Sequence, residues 1–346
     1  MAAVASQSYA RKRSHHMILG SFAGLFALVA LLGALARILP EGLQSQPYVP
    51  VMVSFTPWFA LAALFALLCA LPARRWGVAL VAVALIGVQV WWQAPFFKAA
   101  AQLPGAAKTA VSAATLNAND AYARVMTMNV YKGHADARAI VETVRDQHVE
   151  VLALQETTRS FIAALEQAGI ADYLPYSQVS SADGVFGNGL WSASPLGDVV
   201  DDEVSSSASF MPGGTVNFGD TAIRFVSVHT TSPKPGTWRQ WRRSLDELAR
   251  MRAKTGSRYI FMGDFNATAD HAAFRNFLGE RFRDAAQLAG HGFTFTWPNN
   301  RRYVPPFAGI DHVVVDKGIT AGQMSVVTVP GSDHAALLAT IAVLGR

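Results

Sequence analysis

The residues able to do chemistry in this chain sit where apolar runs stop. Asn129 interrupts Thr-Met-Asn-Val, Glu156 ends Val-Leu-Ala-Leu-Gln-Glu, and His229 ends Phe-Val-Ser-Val-His. Asp264 and Asn266 close Ile-Phe-Met-Gly-Asp-Phe-Asn. Asp311 follows Gly-Ile and opens Val-Val-Val, and Asp333 and His334 stand in Gly-Ser-Asp-His ahead of another apolar run. Carboxylates, amides and imidazoles placed repeatedly at strand ends build a polar cluster along one edge of a sandwich. Burying such groups is costly unless they are paired or ligate a metal, so the pattern points to a buried functional site.

The elements that must position these residues are legible from periodicity. Arg124–Tyr131, Val149–Gln155, Gly189–Ser194, Val199–Val204, Ala222–His229, Tyr259–Met262, Asp311–Val315 and Leu337–Val343 read as strands. Ala135–Gln147 and Arg159–Ala168 read as helices. Trp238–Lys254 reads as a long one, with Trp238, Trp241, Leu245, Leu248 and Met251 on a single stripe. Strands with helices interspersed, and no strict βαβ rhythm, predict a layered α/β sandwich. His312 follows Asp311 in a strand and therefore points to the opposite face, a structural position. Asp201, Asp202 and Glu203 read as a solvated turn, and the arginines of the long helix as its solvated face.

Ahead of this region the composition changes. The chain has 346 residues, room for about two domains, and 51% of them are apolar. Residues 1–121 hold eight Lys/Arg against two acids; the remainder holds 21 against 22, so the positive charge belongs to the apolar third and marks no nucleic-acid face on the rest. Met17–Leu39, Val51–Leu71 and Trp76–Phe96 each come close to or exceed the roughly 20 residues a membrane-spanning helix needs, and Trp91 and Trp92 close the third as interfacial anchors would. The expected organisation is a membrane domain of three transmembrane helices over residues 1–97, a partly flexible linker over 98–121, and a soluble domain over 122–346. Arg11, Lys12 and Arg13 before the first span, and Arg74 and Arg75 between the second and third, place the N-terminus in the cytoplasm. An odd number of crossings then leaves the soluble domain outside the cytoplasm of a multi-pass cell-membrane protein. Cys69, the single cysteine, excludes an intramolecular disulfide and a Cys-based metal site.

Taken in order, Thr-Met-Asn-Val, Leu-Ala-Leu-Gln-Glu, Ser-Val-His, Gly-Asp-Phe-Asn, Ile-Asp-His-Val and Ser-Asp-His resemble the motif series of the endonuclease/exonuclease/phosphatase superfamily, the DNase I-like proteins. With the apolar third in front, the chain resembles a membrane-anchored, bacterial-type member. The resemblance implies a four-layer α/β/β/α sandwich behind the transmembrane α-helices. It also implies a metal-dependent phosphoester hydrolase using Mg²⁺, with Mn²⁺ as the alternative. Carried over residue by residue, it makes Glu156 the principal metal ligand, a hard carboxylate for a hard ion, with Asn129 and Asp333 beside it. Asp264 becomes the carboxylate that activates water, Asn266 the amide on a phosphate oxygen, and Asp311 with His334 a carboxylate–imidazole pair. His229 becomes the second histidine, acting on a non-bridging oxygen or the leaving group. Asn129 and Asn266 would touch substrate, as would Arg301 and Arg302 from a Pro/Asn-rich loop ahead of Asp311. The sequence departs from the family at Ala193, where many members carry a basic residue. The expected partner is a phosphoester substrate, a lipid or a nucleic acid, with nucleic acid entering only as substrate; no obligate protein partner is implied. The alternative is a catalytically silent membrane receptor for a phosphorylated ligand.

Overall fold

The structure, a computed structural model, describes residues 2–113, 117 and 120–343. Residues 114–116 and 118–119 of the expected linker lie outside the described residues, as do the side chains of the Arg11, Lys12 and Arg13 cluster. The chain divides into two compact units, Met1–Ala94 and Pro95–Arg346.

The first unit is helical: α1 (Ala2–Ile38), α2 (Glu41–Gln44), α3 (Val49–Ser54), α4 (Phe59–Ala70) and α5 (Trp76–Gln93). Most of its buried apolar positions are alanines. Ala23, Ala27, Ala30 and Ala34 of α1 meet Ala63, Ala66 and Ala70 of α4, and Ala79 and Ala82 of α5. Gly33 lets α4 come closer still, since a Cβ there would stand 2.1 Å from the Phe59 ring. Many large side chains, among them Leu28, Leu32, Leu64, Phe65, Leu68 and Leu80, point outward and are exposed.

Two stretches, His15–Ile38 and Trp76–Phe96, are long and apolar enough to cross a membrane; a third apolar helical stretch, Thr56–Ala70, is shorter. The expected second span is therefore not one continuous helix. Proline has no N–H to give the preceding turn, and the chain passes through a 3₁₀ turn at Thr56–Trp58 around Pro57. The helix after that turn, α4, has 12 residues and covers about 18 Å at 1.5 Å per residue, short of about 30 Å of hydrocarbon.

The second unit begins with a segment that packs along it and a helix, α6 (Gly105–Val111), in the stretch expected to be a spacer. The elements after that are β1 (Tyr122–Asn129), α7 (Ala137–Asp146), β2 (Val151–Gln155), α8 (Arg159–Gln167), β3 (Tyr176–Ser180), β4 (Asn188–Ser192), β5 (Gly197–Val200), β6 (Gly213–Phe218) and β7 (Thr221–His229). The chain continues through α9 (Trp238–Ala249), β8 (Arg258–Asp264), α10 (Ala272–Leu278), β9 (Phe282–Asp284), α11 (Ala285–Ala289), β10 (Asp311–Asp316), β11 (Ile319–Val327) and β12 (Ala336–Val343). They form two six-stranded sheets, ordered β11-β12-β1-β2-β4-β3 and β5-β6-β7-β8-β10-β9.

Alternation along the strands makes the layers. Val125, Val151 and Ala153 of the first sheet pack against Phe225, Ile260, Met262 and Val313 of the second. Their neighbours Met126, Met128 and Leu152 face away, onto Ile140 and Val144 of α7 and Phe161 and Leu165 of α8. On the far side Phe261 meets Trp241, Leu245 and Leu248 of α9 and Phe274 and Phe277 of α10. Helix, sheet, sheet, helix is the DNase I-like arrangement that the motif series implied. The long helix stops sooner than its apolar stripe suggests, passing into a 3₁₀ turn at Arg250–Ala253. Glu203 is not on a solvated turn: Arg224 Nη2 pairs with its carboxylate at 2.5 Å and the Tyr259 hydroxyl donates to it at 3.2 Å.

Candidate active site

Strand register brings the polar residues together. In the second sheet β7 runs parallel to β8 with His229 beside Asp264, and β10 runs antiparallel with Asp311 beside Asp264. In the first sheet β1 runs parallel to β2 with Asn129 beside Gln155, and Glu156 comes next. His334 stands two residues before β12, which pairs with β1. One edge of both sheets therefore carries six of the expected residues.

Asp264 is the hub of that edge. Its Oδ2 accepts from Asn129 Nδ2 and from Asn266 Nδ2, each at 3.1 Å. The same oxygen lies 3.7 Å from Nε2 of both His229 and His334. Its Oδ1 accepts the Asn266 N–H at 2.8 Å, and Asn266 Nδ2 also donates to the Thr230 carbonyl at 2.9 Å. Gly263 permits this packing, because a Cβ there would stand 1.9 Å from the Val228 carbonyl oxygen. Burial raises the Asp264 carboxyl to about 6; His334 pulls against that, Asp311 adds to it and His229 opposes it.

The two imidazoles are oriented from behind. His334 Nδ1 lies 2.8 Å from Asp311 Oδ2, an oxygen that also accepts the Thr296 hydroxyl at 2.5 Å. Burial disfavours a charged His334, but Asp311 and then Asp264 outweigh it and hold the imidazolium up to about 10. His229 Nδ1 faces the Val185 carbonyl at 3.0 Å, so that nitrogen donates and Nε2 is turned to the pocket, 3.7 Å from Glu156 Oε1.

Glu156 is held in an unusual backbone conformation. Its φ is 61°, a left-handed setting that costs on the order of 1–3 kcal/mol for a residue with a side chain. The surroundings enforce it: Oε2 accepts the Lys132 N–H at 2.9 Å, and Oε1 accepts Asn129 Nδ2 at 3.1 Å. Asn129 in turn takes the Tyr131 N–H on its own oxygen at 2.9 Å. Asn129 thus turns donors toward the carboxylates, and ligating a cation through its oxygen would require turning the amide.

The donor set fits a hard divalent cation. Glu156 and Asp264 sit at the pocket, and Asp311 and Asp333 are close enough to His334 to act on it electrostatically. Among the described residues, Asp264, Asp311 and His334 offer ligand atoms within 4.8 Å of one another. Asp311 Oδ2 is committed to His334 and Thr296, while its Oδ1 is buried without a hydrogen-bond partner. Oxygen-rich sites of this kind suit Mg²⁺ or Mn²⁺ rather than a thiophilic ion.

The remaining expected residues lie farther out. Asp333 is half-buried and accepts from Trp297 Nε1 at 3.3 Å. Arg301 and Arg302 are exposed on the loop that carries Trp297, with the Arg302 guanidinium over the Tyr303 ring at 5.2 Å. His312 points the other way, stacked on Phe274 and placed between Asp284 Oδ2 at 3.2 Å and the Ala267 carbonyl at 2.9 Å. Three neighbours of the site had no signal strong enough to single them out. Thr296 and Trp297 occupy a loop without periodicity. Asn188 is a buried amide opening β4, donating to Ser209 Oγ at 3.2 Å and to the Phe210 carbonyl; its place between two glycines at the start of an apolar strand was the available clue.

Comparison with known proteins agrees with this architecture. The model of the Endonuclease/Exonuclease/phosphatase family matches residues 126–334. An endonuclease/exonuclease/phosphatase family protein from Leptotrichia buccalis C-1013-b superposes with a TM-score of 0.52 at 17% identity, over 63% of this chain and 99% of that one. D. rerio TDP2 complexed with single strand DNA product gives 0.53 at 16%, over 64% and 99%. Truncated Caenorhabditis elegans TDP2 gives 0.52 at 17%, over 64% and 97%. At such identities the likeness is one of fold. No curated protein matches the chain.

Proposed function

The chain belongs to the Endonuclease/Exonuclease/phosphatase family, and from that premise we propose that it is a divalent-metal-dependent phosphoester hydrolase held at a membrane by its N-terminal helices. One observation carries the reading: Asp264 Oδ2 lies 3.7 Å from both inward-facing imidazole nitrogens. A carboxylate oxygen and two imidazole nitrogens therefore surround one small volume.

Hydrolysis needs a water made nucleophilic, charge neutralised on the phosphoryl oxygens, and a proton for the leaving oxygen. Asp264, fixed by Asn129 and Asn266, takes the proton from the attacking water as its oxygen bonds to phosphorus. The bond from phosphorus to the ester oxygen breaks, and that oxygen takes a proton from an imidazolium. His334, kept charged by Asp311, and His229, backed by the Val185 carbonyl, are the two donors in reach; the one not spent on the leaving oxygen binds a non-bridging oxygen. Asn266 adds an amide to the same oxygens. Mg²⁺, or Mn²⁺, would be held by Glu156 with Asn129 and Asp333 beside it, and would supply further neutralising charge. Arg301 and Arg302 would extend the positive lining toward the substrate.

A lipid phosphoester is the substrate class we favour. Phe186 follows the residue that binds His229 Nδ1, and Phe210 follows Ser209, whose hydroxyl donates to the His229 carbonyl at 2.8 Å. Tyr131 donates to Asn129. Phe186, Phe210 and Tyr131 are all exposed, as is Tyr303 on the Trp297 loop. Apolar side chains held in solvent around a phosphate site suit an amphiphilic substrate, and tethering raises its effective concentration. The near-neutral charge after residue 121 is poorly matched to a polyanion. Extending the two long apolar helices to a multi-pass anchor, with the N-terminus cytoplasmic and the hydrolase outside, follows the charge pattern.

The test is turnover of bis-(p-nitrophenyl) phosphate by the full chain in detergent, with Mg²⁺ and then with EDTA. Metal-dependent hydrolysis is expected; its absence on every phosphoester tried would favour the silent receptor. Phospholipid vesicles and DNA compared side by side then decide the substrate, and preference for DNA removes the lipid assignment.

A further inference from the structure

The segment after α5 in the chain is bolted to the root of the loop bearing Thr296 and Trp297. Phe96 is buried in the core cluster that holds Trp241 and Phe265. Its carbonyl accepts the Gly292 N–H at 2.6 Å, and its ring lies 5.2 Å from that of Phe293. Phe97 meets Phe293 edge-on at 5.0 Å. The Ala100 and Ala101 N–H groups donate to the Leu288 carbonyl at 3.0 and 3.4 Å. At Gly290 the two backbones are so close that a Cβ would stand 2.1 Å from the Ala99 nitrogen.

From that root the chain runs directly to the chemistry. Phe293 stacks on Phe295 at 4.9 Å with the rings 12° from parallel. The next residue, Thr296, donates to Asp311 and gives its carbonyl to the Ala335 N–H at 2.9 Å, beside His334. Trp297 donates to Asp333, and the Asn299 N–H donates to the Asp333 carbonyl at 2.7 Å. Loops are ordinarily the mobile part of a fold, yet this one holds both residues that flank His334.

We propose that Phe96 is a positioning residue for the active site: with Phe97 and the backbone of 99–101 it forms a strap that fixes the loop carrying Thr296 and Trp297, and through them Asp311, Asp333 and His334. Nothing in the strap touches substrate. Its effect is on geometry, and small displacements of catalytic groups are expensive in rate. The catalytic part of this inference rests on the hydrolase reading above; the strap itself does not.

The experiment uses the full chain in detergent and reads two quantities. The first is kcat and KM on bis-(p-nitrophenyl) phosphate with Mg²⁺. Phe96→Ala should lower kcat about tenfold and leave KM within about twofold, the signature of lost positioning rather than lost binding. Phe97→Ala, which removes the edge contact without opening the core, should lower kcat about threefold, and Phe96→Leu should recover most of the loss. Leu103→Ala, which loosens the same segment where it lies over Gly322, serves as the control and should leave kcat within about twofold. The second quantity is amide exchange over 293–310, faster in Phe96→Ala and Phe97→Ala while β12 is unchanged. Unaltered exchange and kcat in both variants would overturn the proposal, as would an equal loss in Leu103→Ala. If the wild-type chain hydrolyses no phosphoester, the functional reading falls while the exchange data still decide the strap.

Discussion

The two units differ in where they put their large apolar side chains. The first puts Ala23, Ala30, Ala63, Ala66 and Ala82 inside and leaves Leu28, Leu64, Phe65 and Leu80 outside. The second puts Trp241, Phe225, Phe261, Phe265, Phe274 and Phe277 inside. In water the large apolar groups must be inward, because their removal from solvent is what drives folding. Among lipid chains that drive is absent, and small residues that let helices approach are what an interface can use. The contrast is the support that the proposed membrane attachment has besides helix length.

The difference can be broken or sharpened experimentally, and the largest effect is expected in the second unit's chemistry. Asp264→Ala and Glu156→Ala should each cut phosphoester turnover about 10²–10⁴-fold with little change in unfolding temperature; near-normal rates would refute their roles. Next in size is Phe261→Ala, which empties the centre of a packed aromatic cluster and should cost about 3–5 kcal/mol in chemical denaturation. Leu68→Ala on the exposed face of α4 should cost, in detergent, about 0.5 kcal/mol or less. Equal losses at the two positions would mean that the first unit packs like a water-soluble bundle.

Two pH effects are smaller. His334 stays charged up to about 10 because Asp311 and Asp264 outweigh its burial. Asp311→Asn removes the larger of those attractions, so the alkaline fall in kcat should move to lower pH; a profile with an unmoved alkaline limb would exclude His334 as the proton donor. At the opposite end of the sandwich, burial raises the Glu150 carboxyl from 4.5 to about 8, with the Arg124 N–H opposing and Asp120 adding to the rise. Between those values the unfolded chain has lost the proton and the folded one has kept it. The folded state therefore loses stability as pH rises from 4.5 to about 8. Glu150→Gln should flatten that decline, measured by denaturant midpoints across the window.

Much of the site was legible in the sequence because its signals are local. A polar residue that ends an apolar strand is visible without knowing which strand it will neighbour, and six such endings now lie along one edge. The layers were legible from strands with helices interspersed and no strict βαβ rhythm. What escaped depends on contacts distant in the chain. Thr296 matters only through Asp311, and Trp297 through Asp333. β3 and β6 lack an unbroken apolar run, with Tyr176 exposed and Asn217 outward, and β11 is interrupted by a bulge between Gly322 and Ser325. Pro57 is of a kind that spanning helices tolerate, and whether neighbouring helices keep such a span continuous is a question of packing. The stretch before residue 105 looked like a spacer because its composition is bland, and its attachment uses backbone groups that composition does not reveal.

The pocket hangs half from each sheet: Asn129, Glu156 and His334 from one, His229, Asp264 and Asp311 from the other. Sliding one sheet past its partner by a single residue, about 3.3 Å, would pull His334, Asn129 and Glu156 away from Asp264 while leaving every strand intact. Catalysis is then a ruler for sheet alignment. A substitution deep between the layers, such as Met262→Ala, can silence the protein at a temperature where its secondary structure is still complete.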